Sequence, residues 1–589
     1  MEAKLDWFYE NYDDYWLFDK SPRETQIDIL KEIDEAINSN YKHIIVHAGV
    51  GIGKSAIVDT ISNTFDSSYI CTKTTNLQNQ YVTDYLHLSE LKGRGNYICN
   101  YLCEDESRFR RCDECYMNYL TKYGTVEEKK EELNTYGRKW EYYSHVSKER
   151  YDEIISELPM YPCNNCEYLE AIKIAQYNPH VIANYHSLYF NSVINKRFKP
   201  RDAIFFDECH NLEDIAMSVV GFKFSPSPNK FYEKYGINVF DAPESELKSV
   251  DYWRNMLMIE HDTLLEQKET YQSQLDNIDI YFNTQINETA LKLAINELTN
   301  QLISLDYNID LLDEGMYIDL PPKNKRKIYV RGNGVTFKPI LGDKYVKNFQ
   351  NMGDTCFYFT GTLPVPEYYC ECVNLDFSND VYYTYKKSPY PVENRPIIYH
   401  PIDDFTGPKN EYGEYRWQKH RNIGEIKKLL LKHSGENIVI HTTSNDQSEW
   451  LYNNLVYEFD CAVASGNADV RNKIINEFKR KDGIFNILIS PSIKEGVDFE
   501  GDTCTVQIIL KNPRRWDNIA QERSKQYSDS DFSNFYTAIP LEQAYGRSIR
   551  SESDVSVTYI VDTDFKKWYH YGKRYLSSYF KEAIVWSDV

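Results

Sequence analysis

In the string "HAGVGIGKSAIVDTI", Gly51 and Gly53 punctuate a short loop that ends in Lys54 and Ser55. Glycines let backbone N–H groups turn toward one centre, a lysine adds a compact positive charge, and a serine hydroxyl can join the shell of a magnesium ion. Together they read as a cradle for a nucleotide polyphosphate, with Ala48 standing where the fullest form of such a loop has its first glycine. Far downstream, "AIFFDECHNLED" ends an apolar run in Asp207 and Glu208. One of these carboxylates can hold Mg²⁺ while the other polarises an attacking water. A third string, "EQAYGRSIR", sets Gln543, Arg547 and Arg550 at four- and three-residue steps. That spacing predicts a helix that begins here and carries all three on one face, from which guanidinium groups can meet charge developing on a γ-phosphate.

Such groups work only if strands and helices deliver them. "HIIVHA" before the loop and "SAIVDTI" after it read as a buried strand and an opening helix, the layout of a parallel α/β domain. Further β-rich runs are "SYICTKT", "HVIANY", "DAIFFDECH", "CFYFTGTL", "ENIVIHTT", "FNILISPS" and "VSVTYIVD". Their number and spacing predict two doubly wound parallel sheets, one in each half, with the boundary around "KKSPYPVENRP". Two stretches depart from that rhythm. Residues 93–170 are polar and cysteine-rich. Within 225–335, Leu291, Ile295, Leu298, Leu302, Leu305 and Ile309 form a heptad seam, which predicts a long helix packed on an antiparallel partner in "QKETYQSQLDNIDIYFNTQI". A helical bundle inserted for structure alone is the competing reading of that seam.

The totals restrict the setting. A chain of 589 residues exceeds one core and implies several compact units. Its net charge of -22 argues against whole-surface attraction to nucleic acid, so any such site must be a local groove. No apolar run approaches a membrane span and the start lacks a signal-peptide pattern, so a soluble, cytoplasmic chain without a membrane partner is expected. Thirteen cysteines in a reducing compartment favour metal ligation or burial over disulfides.

Taken together the motifs resemble those of superfamily 2 helicases of the XPD/DinG type. "DECHNL" is similar to their DEAH-N-L signature, with Cys209 in place of the usual alanine. The accompanying strings stand in the family's order: "SPRETQ" with Arg23 and Gln26, "TKTTNLQNQ", "KGRGNYIC", "ANYHSL", "FTGTLP" with Thr360 and Thr362, "IHTTSN", "KEGVDFEG" with Gly496 and Asp498, and "QAYGRSIRSESD" with Asp554. The resemblance spans residues 20–565 and implies ATP-driven, 5′-to-3′ translocation on single-stranded DNA and unwinding of forked DNA. It implies two RecA-like domains, the first made of 1–92, 171–224 and 336–385 and the second of 386–589. A Cys-rich iron–sulfur insertion at 93–170 and a helical arch-like insertion at 225–335 interrupt the first. ATP and Mg²⁺ would be held by Arg23, Gln26, Gly51, Gly53, Lys54, Ser55, Asp207, Gly496 and Asp498, and hydrolysis would use Lys54, Asp207, Glu208, Gln543, Arg547 and Arg550. A monomer is expected. The alternatives are a translocase acting on RNA–DNA hybrids or structured DNA, and a zinc-stabilised, non-catalytic nucleic-acid-binding scaffold. "TTNLQNQ" and "TGTLP" offer hydroxyls and amides for sequence-independent phosphate contacts.

Between the phosphate loop and Asp207 lie Cys71, Cys99, Cys103, Cys112, Cys115, Cys163 and Cys166. Cys71, inside an apolar run, reads as core. Of the remaining six, the resemblance names Cys99, Cys112, Cys115 and Cys166 as ligands of a four-iron, four-sulfur cluster. Two CxxC pairs, Cys112 with Cys115 and Cys163 with Cys166, would instead suit a tetrahedral zinc site. Either metal would hold together a polar segment that lacks apolar residues for a core of its own. Lys92, Arg94, Arg108, Arg110 and Arg111 would form its phosphate-binding rim.

Overall fold

The computed structural model describes residues 16, 21–85, 87–97, 167–224, 239–277, 288–313, 315–321, 326, 334–407, 411, 414–466, 468–480, 483–491, 499, 501–551 and 553–586. Apolar runs with no polar alternation make strands covered on both faces. In β1 (His43–Ala48), Ile44, Ile45 and Val46 are wholly buried, as are Ala203 to Phe206 in β5 (Arg201–Asp207). These strands pair in parallel with β2 (Ser68–Thr72), β3 (Ser89–Leu91), β4 (His180–Asn184), β9 (Gly353–Thr360) and β10 (Val381–Lys386). The order across this sheet is β10-β1-β9-β5-β2-β4-β3. Phe205 stacks on Phe357 across β5 and β9 at 4.7 Å between ring centroids, so aromatic faces join the aliphatic core.

The chain changes sheets between Lys386 and Ile397. The second parallel sheet runs β13-β14-β12-β15-β16-β11-β17. Its strands are β11 (Ile397–Asp403), β12 (Ile438–His441), β13 (Cys461–Val463), β14 (Ile487–Ser490), β15 (Val506–Ile509), β16 (Val557–Asp562) and β17 (Ile584–Trp586). The expected pair of doubly wound sheets is therefore present, and both sheets aim their strand ends at the segments that carry the chemistry.

The helical seam lies on the helix Glu288–Leu311, with Leu291, Leu298, Leu302 and Leu305 buried. Its partner is the helix Val250–Asp276, which begins well before the stretch expected from sequence. The two run antiparallel: Arg254 near the start of one donates to the Leu312 carbonyl past the end of the other, and His261 meets Asp306 at 3.2 Å. Helical periodicity does not announce the small antiparallel sheet at their base, made of β6 (Phe222–Phe224), β7 (Met316–Asp319) and β8 (Val335–Pro339). Among the described residues no helix is long and apolar enough to cross a membrane.

Candidate nucleotide site

Strand β1 feeds the phosphate loop, and the helix Lys54–Ser62 leaves it. Gly51 and Gly53 take φ of 84° and 85°, a left-handed backbone that few other residues adopt without strain, and this turns the loop toward the helix start. Arg23 donates to the Gly51 carbonyl. Gln26, 5 % exposed, accepts from the Arg23 backbone at 2.8 Å and reaches the Gly53 carbonyl at 3.4 Å. The upstream "SPRETQ" segment thus braces the loop from behind. His47, buried under it, bonds Tyr383 at 2.9 Å. Burial and the nearby Lys54 charge lower its pKa to about 3, so it stays neutral.

Asp207 and Glu208 leave the end of β5, with Glu208 itself at φ 50°. Burial, then the adjacent Glu208 carboxylate, pushes Asp207 up; Lys54 pulls it down but does not prevail. Glu208 moves the other way. Burial opposes its charge, yet Lys54, His210, Arg547 and Arg550 outweigh burial and hold it below the usual carboxylate range. Two neighbouring carboxyls with opposed shifts suit one group that exchanges a proton for a cation and one that stays ionised to orient water. Tyr81 donates to Asp207 at 3.3 Å, and the Glu208 side chain remains 29 % exposed toward the cleft.

His210 ties these acids to the second sheet. Its Nδ1 meets Thr360 Oγ1 at 2.8 Å, and its Nε2 faces the side-chain amides of Asn211 and Gln543, each at 2.9 Å. Thr360 and Thr362 are buried, and Thr360 Oγ1 accepts from Thr362 N at 3.0 Å. The Thr360 hydroxyl therefore belongs to this interior network, joined to His210 and to the Thr362 backbone. Asn76, Leu77 and Gln80 of "TTNLQNQ" likewise line the nucleotide cleft.

The expected helix starting at "EQAYGRSIR" is a helix ending there. Asp531–Tyr545 is helical, so Gln543 lies in its last turn and Arg547 and Arg550 follow it in a loop. Two forces account for the difference. The helix upstream carries Phe532, Phe535, Ile539, Leu541 and Ala544 into the core, which fixes it to the second sheet. Beyond it the Asp554 carboxylate accepts from Arg550 N at 2.7 Å, Ser551 N at 2.8 Å and Ser551 Oγ at 2.6 Å, which curls the chain into a turn. Arg547 and Arg550 still reach the same cleft as the phosphate loop.

That cleft, about 470 Å³, is lined by Gly51, Gly53, Lys54, Ser55, Asp207 and Glu208 from one side and Gln543, Arg547 and Arg550 from the other. Lys73, from "TKTTNLQNQ", and Lys479, which no sequence pattern marked, join them. Five lining cations beside the Arg23 brace, with only two lining acids, fit a polyphosphate, and Ser55 with Asp207 supplies oxygen donors of the kind Mg²⁺ takes. A second tie between the sheets lies just past "DECHNL". Glu213, 1 % exposed, pairs with Arg523 at 2.5 Å, and Asp214 pairs with Arg515 at 2.5 Å. Gly496, Asp498 and the cysteines Cys99, Cys103, Cys112, Cys115, Cys163 and Cys166 lie outside the described residues. Among the described residues, Cys71 and Cys209 are fully buried, as expected of core thiols.

With this geometry in view, residues 427–582 match the family model described as helicase C-terminal domain. Over 97% of this chain and all of the other, the fold is similar to a solved structure titled "XPD_Helicase", at 14% identity and a TM-score of 0.52. This chain shares the fold of that XPD helicase structure. Two further structures, "XPD_APO" (13% identity, TM-score 0.48, 94% of this chain and 98% of that one) and "Structure of S. tokodaii Xpd4" (14%, 0.46, 96% and 100%), also align. No curated protein matches the sequence. Residues 427–582 thus match a helicase C-terminal domain within a chain that shares the fold of an XPD helicase structure.

Proposed function

We propose that this chain is an ATP-dependent DNA helicase that moves 5′-to-3′ on single-stranded DNA and parts the duplex at a cysteine-rich, iron–sulfur-bearing wedge. One observation carries the reading: Lys54, Asp207 and Glu208 from the first sheet share a cleft with Gln543, Arg547 and Arg550 from the second. A nucleotide held there touches both sheets, so its hydrolysis alters their separation and shifts a strand gripped by both. Lys54 would neutralise the β and γ phosphates, while Ser55 and Asp207 would hold Mg²⁺. Mg²⁺, when bound, neutralises charge between the phosphates. Glu208 orients the water, and Arg547 and Arg550 meet the charge that develops.

A wide groove on the second sheet's side supports a strand as the other ligand. Its volume is about 1360 Å³, and Arg514, Arg515, Trp516, Asn534, Tyr571 and Arg574 line it. Trp516 and Tyr571 are 59% and 54% exposed, and rings of this kind can stack on bases of any sequence. Asp517, Asp531 and Asp564 line it as well, and they pair with Arg515, Arg574 and Arg514, so a strand's phosphates would share these cations with carboxylates.

The wedge reading is supported by where its segment begins and ends. The Tyr97 and Tyr168 rings lie 5.5 Å apart. Cys99 follows Tyr97 by two residues and Cys166 precedes Tyr168 by two, a reach of about 7 Å each. The described ends of the cysteine-rich segment therefore lie side by side, and Cys99, Cys112, Cys115 and Cys166 would form a four-thiolate set. Zinc remains the competing occupant. Cys112→Ser is expected to release the metal and to reduce unwinding at least about tenfold while ATP turnover falls less. Iron, labile sulfide and zinc contents check the first point; unchanged metal and unwinding would remove Cys112 from the set. The activity itself is tested by ATP turnover with and without single-stranded DNA, which the reading expects to differ severalfold.

A further inference from the structure

The segment that joins the two sheets runs along the phosphate loop before it enters the second sheet. Strand β10 pairs with β1 up to Lys386 opposite Ala48, and the Gly49 amide continues the ladder by donating to the Lys386 carbonyl at 2.9 Å. Two residues on, Ser388 Oγ donates to the Val50 carbonyl at 2.9 Å. Two residues further, the Tyr390 hydroxyl lies against Gly51, so close that a Cβ on Gly51 would fall 1.6 Å from it. Alternate residues of an extended chain thus read three successive residues of the loop. The same hydroxyl donates to the backbone carbonyl of Arg550. Burial pushes this phenol up to about 12 against the pull of Arg550 and Arg23, so it keeps the proton it donates.

The strap is stiff and fixed at its far end. Pro389 and Pro391 flank Tyr390, and each proline restricts both its own φ and the residue before it. Arg395, 1 % exposed, donates to the Tyr390 carbonyl at 3.2 Å, the Tyr545 hydroxyl at 2.8 Å and the Tyr579 carbonyl at 2.6 Å, which binds the strap to the second sheet's helices. A change in the phosphate loop therefore has a short, rigid route to the main chain of Arg550.

We propose that Tyr390 is a positioning residue for ATP hydrolysis, which links the phosphate loop at Gly51 to the placement of Arg550 through the Pro389-Tyr390-Pro391 strap. The inference rests on the ATPase reading of the cleft. Because Arg550 acts on charge present in the transition state, loss of the link lowers kcat and leaves ATP binding alone. Tyr390→Phe keeps the ring and removes only the hydroxyl. Its DNA-stimulated kcat should fall about five- to tenfold, the worth of one hydrogen bond, with KM for ATP and the thermal midpoint close to the parent's. Ser388→Ala, which frees the strap from Val50 and keeps Tyr390, should lower kcat about two- to threefold, and it serves if Tyr390→Phe does not fold. A kcat equal to the parent's in either folded variant, or a fall in kcat matched by the same rise in KM, overturns the strap and leaves the ATPase reading standing. A parent chain that turns over no ATP overturns the ATPase reading and the strap with it.

Discussion

Lys54→Ala is expected to lower DNA-stimulated ATP turnover by at least about a hundredfold while the chain stays folded. The lysine is a half-exposed lining residue of the cleft, so truncation removes no core packing. What disappears is the one ammonium carried by the loop itself, next to both carboxylates. Its loss should also let Glu208 rise toward the ordinary carboxylate range, since Lys54 is the foremost charge holding it down. The substitution therefore weakens phosphate neutralisation and water activation together. Steady-state ATPase with single-stranded DNA, read beside the thermal midpoint, checks it; turnover near the parent's in a folded variant would remove Lys54 from the site.

Arg547→Ala should cost about a thousandfold in kcat and change nucleotide affinity little. Arg547 reaches the cleft from a loop of the second sheet's domain, and its carbonyl, which accepts from Phe499 N at 3.1 Å, is untouched by the substitution. The loop path thus persists without the guanidinium. Loss confined to kcat marks an interaction made only in the transition state. Equilibrium binding of a labelled ATP analogue separates the two quantities, and an equal loss of affinity would make Arg547 an ordinary phosphate-binding residue.

The local strings carried much of this site. "AGVGIGKS", "DECHNL" and "QAYGRSIR" each place their groups within a few residues, so Lys54, Asp207, Glu208, Gln543, Arg547 and Arg550 were legible without a fold. So were the two sheets, because strands buried on both faces write continuous apolar runs. Residues supplied by distant segments were not legible. Lys479 looks like a surface lysine, and Tyr390 is one of fifty tyrosines until β10 is laid beside β1. Periodicity also misread the last motif. Its four- and three-residue steps suit a helix face, but the Asp554 carboxylate pulls the chain into a turn that periodicity cannot register. The small sheet of β6, β7 and β8 escaped for a simpler reason: three short strands between long helices leave too few residues to alternate.

The most direct test of the account is strand separation of duplexes bearing one single-stranded tail, in the presence of ATP and Mg²⁺. The account predicts that a 5′-tailed duplex is unwound, that a 3′-tailed one stays paired, and that Lys54→Ala unwinds neither. A folded parent chain that binds ATP yet separates neither tailed duplex would contradict it.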